Sequence, residues 1–239
     1  MKKLPIIICL AGLATSATVI AFPFNKSWHE AAWGVAGTNR AGAGGYYGTG
    51  GKQDKGIKCS HCHIKAAGTT STIGATVTAT PPFVVAGNDT KYVPGQAYVI
   101  TIAMTGEHLG GGKGMNDPTS MNNHNAMAAT IENANGQRAG RFQSDAGQDS
   151  NACPAQNPYP GSPGAVSPAG KTTLLYGDCH GVLPLQLQKL TSWTFTWTAP
   201  AAGAGDLTLF LGMVDGDTDG SSSLNDDVLE RSIPLKEGP

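Results

Sequence analysis

Residues 192–200 read Ser-Trp-Thr-Phe-Thr-Trp-Thr-Ala-Pro, and this strict two-residue alternation limits the chain more than any other feature. It places Trp193, Phe195 and Trp197 on one face and Thr194, Thr196 and Thr198 on the other, which only a half-buried β-strand can do. Residues 206–214 repeat the pattern with Leu207, Leu209, Leu211 and Met213. Residues 92–104 turn at Pro94-Gly95 and then present Tyr98, Ile100, Ile102 and Met104 on one side; residues 72–80 are β-branched and alternating. Residues 127–142 read as a hairpin, with Asn135-Gly136 supplying a primed turn. Short alternating strands between Gly, Pro, Asn and Asp turns predict an all-β chain folded as an antiparallel β-sandwich. The aromatic stripes are its core, because large alternating side chains suit a half-buried strand.

The N-terminus has a different character. Met1-Lys2-Lys3 precedes an apolar or small run over residues 4–21, the pattern of a secretory signal peptide, with cleavage expected after Ala17 or Ala21. Cys9 sits in that run without the context of a lipoprotein signal. No later segment is long and apolar enough to cross a bilayer, so no transmembrane span is expected in the mature chain. Residues 22–70 form a Gly-rich arm with Trp28, Trp33, Tyr46 and Tyr47, too rich in glycine to hold regular structure for long. Residues 71–239 are the sandwich. Charged residues make up 14% of the chain and net charge is −1, without a basic or acidic run, so nucleic acid is not an expected partner.

Export governs how the cysteines are read. At the end of the arm stands Cys59-Ser60-His61-Cys62-His63, the Cys-x-x-Cys-His attachment motif of c-type haem. Its chemistry needs this spacing: both thiols add to the haem vinyl groups, and the adjacent His63 reaches the iron as axial ligand. The same residues also suit zinc or another metal, or a disulfide. His61, between the cysteines, is expected to be exposed. If haem occupies Cys59 and Cys62, Cys153 and Cys179 are the natural disulfide, closing a loop of about 25 residues for about 3 kcal/mol. The alternative is two ordinary disulfides. A second haem ligand would come from His29, His108, His124, His180 or the methionines; His29, flanked by Trp28 and Trp33 on the arm, ranks first.

Two further segments carry possible metal chemistry. Residues 215–226 place Asp215, Asp217 and Asp219 at positions 1, 3 and 5 of a calcium loop, Gly220 at 6 and Asp226 at 12. Ser222 at position 8 and Asp rather than Glu at position 12 depart from that pattern, and the bland reading is a solvated acidic turn. Met115, Met121, His124 and Met127 supply soft donors suited to copper, although Met127 also begins a strand. Hydrolase and phosphate-loop motifs are not found.

Residues 92–106, Gly-Gln-Arg-Ala-Gly-Arg-Phe at 136–142, and residues 192–214 with the acidic loop after them together resemble Reelin-like (Reeler) domains. The resemblance extends to bacterial choice-of-anchor exported domains and spans residues 44–233. Trp197-Thr198-Ala199-Pro200 followed by Gly-x-Gly-x-Leu is its most specific part. It implies an immunoglobulin-like β-sandwich and no enzyme activity, and a structural role for His180. The chain departs from it between Met104 and Ala128, in a Gly/Asn/Met/His-rich insertion. Two functions are thus expected: an exported monohaem cytochrome transferring electrons to an unidentified redox partner, or a cell-surface or matrix binding module, calcium-stabilised, with structural cysteines.

Overall fold

A computed structural model describes residues 47–61, 63, 73–106, 124–152, 170–175, 179–184, 190–216 and 226–239. Among them the strands are β1 (Gly74–Thr80), β2 (Val84–Ala86), β3 (Asp89–Tyr92), β4 (Ala97–Thr105), β5 (His124–Asn133), β6 (Arg141–Ser144), β7 (Thr173–Leu174), β8 (Gly181–Pro184), β9 (Ser192–Thr198), β10 (Leu207–Gly216) and β11 (Asp227–Glu237). Single 3₁₀ turns occur at Cys59–His61 and Ser150–Ala152. The strands form a β-sandwich: a four-stranded sheet in the order β1-β4-β9-β6 and a seven-stranded sheet in the order β2-β3-β11-β10-β5-β8-β7.

The alternating strands bury the faces their sequences predict. Tyr98, Ile100, Ile102, Trp193, Phe195 and Trp197 from the small sheet meet Met127, Ala129, Ile131, Leu207, Leu209, Leu211 and Met213 from the large one. Burial of side chains this large contributes about 1.5–3 kcal/mol each. Trp197 stacks on Tyr98 at 5.8 Å and donates its indole N–H to the Ala139 carbonyl at 2.8 Å, so its polar edge is satisfied inside the core.

Two details differ from the sequence reading. The sandwich is not wholly antiparallel, since β3 pairs with β11 in parallel at Lys91 and Tyr92. The turn after β5 is also not a primed hairpin. Asn133 Oδ1 accepts from the N–H groups of Asn135 and Gln137, Gly136 N–H bonds the Asn133 carbonyl, and Gly136 takes φ 80°. That is an ordinary turn closed by a left-handed glycine. Pairing continues to the bridge Glu132↔Arg138, after which the chain changes sheets and β6 joins β9.

The outer face of the large sheet positions the site. Register puts Ala128 of β5, Gly212 of β10 and Glu230 of β11 side by side on that face, with Thr130 beside Gly181 of β8. In a two-layer sandwich these positions would meet water, yet Thr130 is 0% and Glu132 1% exposed. Residues 47–61 and His63 cover them as a third layer.

Candidate functional site

The covering segment is built from turns. Gly50 N–H bonds the Ile57 carbonyl, Cys59 N–H bonds the Gly48 carbonyl, and Gly56 N–H bonds the Gly51 carbonyl, so the chain doubles back through the bridge Thr49↔Lys58. Asp54 lies inside this loop with no exposed surface. It accepts from Tyr47 N–H and Thr49 N–H, both at 2.8 Å, and from the Thr49 hydroxyl at 2.6 Å, with His180 Nε2 3.5 Å away. Tyr47 packs edge-on against the His180 ring and joins Ala128, Leu174 and Leu183 in a small apolar cluster. Thr49 meets Thr130 across the layers at 3.1 Å. Glu132 turns outward to accept from Lys52 N–H at 2.8 Å and Gln53 N–H at 3.3 Å. Burial raises its pKa above the ordinary glutamate value despite those two donors.

The turn that follows carries the Cys-His motif. Cys59–His61 is 3₁₀, and His63 N–H bonds the Cys59 carbonyl at 2.8 Å, which sets Cys59 and His63 about one helical turn apart. Cys59, half-buried, donates its thiol to the Gly48 carbonyl at 3.3 Å. It lies over Gly212, where a Cβ would stand 2.7 Å from the sulfur and 2.9 Å from the Gly48 oxygen. Only glycine permits this approach. His61 is exposed, as expected, and its Nδ1 accepts from Lys58 N–H at 3.2 Å.

Two acids of the β11 segment hold the motif. Glu230 accepts from both the N–H and the hydroxyl of Ser60, and pairs with Lys58 at 3.3 Å. Burial alone would raise its pKa, but the Ser60 donors and the Lys58 ammonium outweigh that and hold it below the usual value. Four residues earlier, Asp226 Oδ2 meets His63 Nδ1 at 2.6 Å. With Asp226 as a carboxylate, which can only accept, the imidazole donates through Nδ1–H. The His63 side chain is 37% exposed, while that of Asp226 is only 2% exposed. Such a contact is a strong, charge-assisted hydrogen bond.

The structure therefore brings together residues that the sequence analysis assigned to different sites. His63 of the haem motif and Asp226 of the acidic loop are partners. Asp215 is in register with Asn125 and Asp227. It falls on the inner face of β10, one step beyond Met213 in the alternation. Asp217, Asp219, Cys62, Cys153, His29, His108, Met115 and Met121 lie outside the described residues. Met127 packs in the core. Cys179 is buried, with φ 56°, and Arg138 bridges its carbonyl to that of Ser150. Among the described residues, no cluster of three or more His, Cys, Asp or Glu side chains is arranged to hold a metal ion by protein groups alone. Nor is any helix among them long and apolar enough to cross a membrane.

Sequence reasoning did not find Glu230, Asp54 or Glu132. One signal was present: Asp226, Val228 and Glu230 share a face by the two-residue period. That face reads as solvent until a third layer is known to cover it.

No protein-family model matches the chain, and no curated protein matches it. Among solved structures it is similar to the Reelin-N domain of F-spondin, at 17% identity and TM-score 0.38, covering 74% of this chain and 94% of that one. A human F-spondin reeler domain gives 13% identity and TM-score 0.35, with 74% and 87% covered. A conjugative transposon lipoprotein from Bacteroides eggerthii gives 15% and 0.29, with 69% and 98% covered. Likeness at this level bears on neither function nor partners.

Proposed function

We propose that this chain is an exported monohaem c-type cytochrome that transfers electrons outside the cytoplasm to a redox partner its sequence does not name. The observation that supports this best is the pairing of His63 Nδ1 with Asp226. Metal-ligating histidines almost always give their other ring N–H to a carboxylate, a carbonyl or water, which fixes the tautomer and leaves Nε2 as the donor. Here Nδ1 is engaged in that way at 2.6 Å. Cys59, half-buried and one turn away, adds the thiol that the motif requires. Cys59 and Cys62 would tether the haem and His63 would ligate its iron. Bound there, the haem would supply one-electron Fe(III)/Fe(II) chemistry.

The chain's own residues do the positioning. Glu230 and Asp226 clamp the two ends of the motif to β11, and the small surface of Gly212 lets the turn lie flat on the sheet. Residues 1–21 would direct export. Cys153 and Cys179 would form the disulfide, a pairing supported by Arg138, which draws the Ser150 and Cys179 carbonyls to one guanidinium. His29 is the first candidate for the second axial ligand.

Haem staining of the protein on a denaturing gel, after expression with working c-haem maturation, tests the reading. Wild type should stain and Cys59→Ala should stain weakly or not at all. An unstained wild-type band refutes it.

A second reading, a calcium-stabilised surface module, draws on the burial of Asp215, Asp226 and Asp227 at the two ends of the acidic loop. Calcium would then raise the melting temperature relative to chelator, and Asp215→Asn would remove the difference. Equal melting in both media rejects calcium.

A further inference from the structure

We infer that Asp226 is a positioning residue that sets the donor strength of His63 and thereby lowers the reduction potential of the site. The inference rests on the haem reading and extends it from attachment to tuning. Three observations carry it. The Nδ1···Oδ2 contact is 2.6 Å, as short as or shorter than charge-assisted N–H···O bonds, so the two groups are direct partners. The Asp226 side chain is 2% exposed, so water does little to screen its charge from the ring. The backbone that carries the ring is held in place, because His63 N–H is tied to the Cys59 carbonyl and the adjoining turn is tied to Glu230.

The chemistry follows from charge. A carboxylate that accepts the Nδ1 proton draws the imidazole toward imidazolate character, which makes Nε2 a stronger donor. A stronger donor stabilises Fe(III) more than Fe(II), the oxidised state carrying the greater positive charge. The buried negative charge of Asp226 acts in the same direction through space. Both effects lower the potential. Glu230 is an internal control: it lies on the same strand and holds the same motif, but through Ser60 and Lys58 rather than through the imidazole.

The experiment compares haem-loaded wild type, Asp226→Asn, Asp226→Glu and Glu230→Gln by spectroelectrochemical titration. Asp226→Asn keeps an acceptor and removes the charge. It should raise the midpoint by the equivalent of about a tenfold change in relative ferric stabilisation, about 59 mV for one electron. Asp226→Glu should return toward wild type, and Glu230→Gln, which alters the clamp but not the ring's own partner, should shift the midpoint less than Asp226→Asn. Equal midpoints in wild type and Asp226→Asn overturn the inference while leaving haem attachment intact. Wild type without covalent haem overturns both.

A readout without haem guards against a variant that fails to load. In the haem-free protein, 15N NMR should find neutral His63 as the Nδ1–H tautomer in wild type, and a shift toward Nε2–H in Asp226→Leu. The same tautomer ratio in both overturns the inference.

Discussion

Removing the Asp54 carboxylate tests whether residues 47–61 are a third layer held by one buried polar centre. Asp54→Ala deletes an acceptor that takes three hydrogen bonds, two of them from backbone N–H groups of the arm, and leaves His180 beside an apolar methyl. Hydrogen bonds to charged groups are worth about 1.5–3 kcal/mol each, but the three share one ion and do not add. Taking away one member of a buried charged cluster costs about 3–5 kcal/mol. The Thr49 hydroxyl keeps its contact with Thr130, which argues for the lower half of that range. The arm can also escape part of the penalty by lifting off and letting water reach Tyr47 and Thr49. The loss should therefore appear as local opening rather than global unfolding. Amide hydrogen exchange is the assay. Protection in residues 47–61 should fall by about a hundredfold or more, the equivalent of about 3 kcal/mol, while β9 and β10 keep theirs. A change below about fivefold in the arm would refute the reasoning, because about 1 kcal/mol is too little for a buried anchor. Equal loss in the arm and in β9 would refute the separate layer.

Gly212→Ala should push Cys59 off the sheet, since the new Cβ would meet its sulfur at 2.7 Å and the Gly48 oxygen at 2.9 Å. A cost of about 1–3 kcal/mol is expected by denaturant melting, together with faster alkylation of Cys59 in the haem-free protein; an unchanged alkylation rate counts against the contact. Glu230 has a lowered folded pKa, so its contribution is present above the unfolded value and is lost as pH falls through the folded one. Arm protection should thus decline below about pH 4.5 in wild type, and Glu230→Gln should flatten that decline. An identical acid profile in the two proteins would exclude Glu230 as the source.

Much of this architecture was legible because periodicity is local. Trp193, Phe195 and Trp197 had to share a face whatever they packed against, and so did Leu207, Leu209 and Leu211. The spacing of Cys59, Cys62 and His63 was legible because it is local along the chain. The turn at Asn135-Gly136 was located correctly but misjudged in type: a glycine there admits either solution, and Asn133 capping two N–H groups selected the ordinary one. The partner of Asp226 was not legible. Spacing grouped it with Asp215 in one acidic loop, and the fold also sets it against His63, 163 residues away.

What the sequence determined alone was the alternating strands β1, β4, β5, β9 and β10 and their apolar faces. All of these depend on neighbours a few residues apart. Tertiary structure decided the rest: which outer face the glycine-rich arm would cover, and hence which of β5, β10 and β11's apparent solvent positions became buried anchors. A hydrogen bond between residues distant in the chain leaves no periodic trace, because either partner alone looks like an ordinary surface charge. Asp226 acquires its meaning only when the docked arm sets the His63 ring against it and excludes water from the carboxylate.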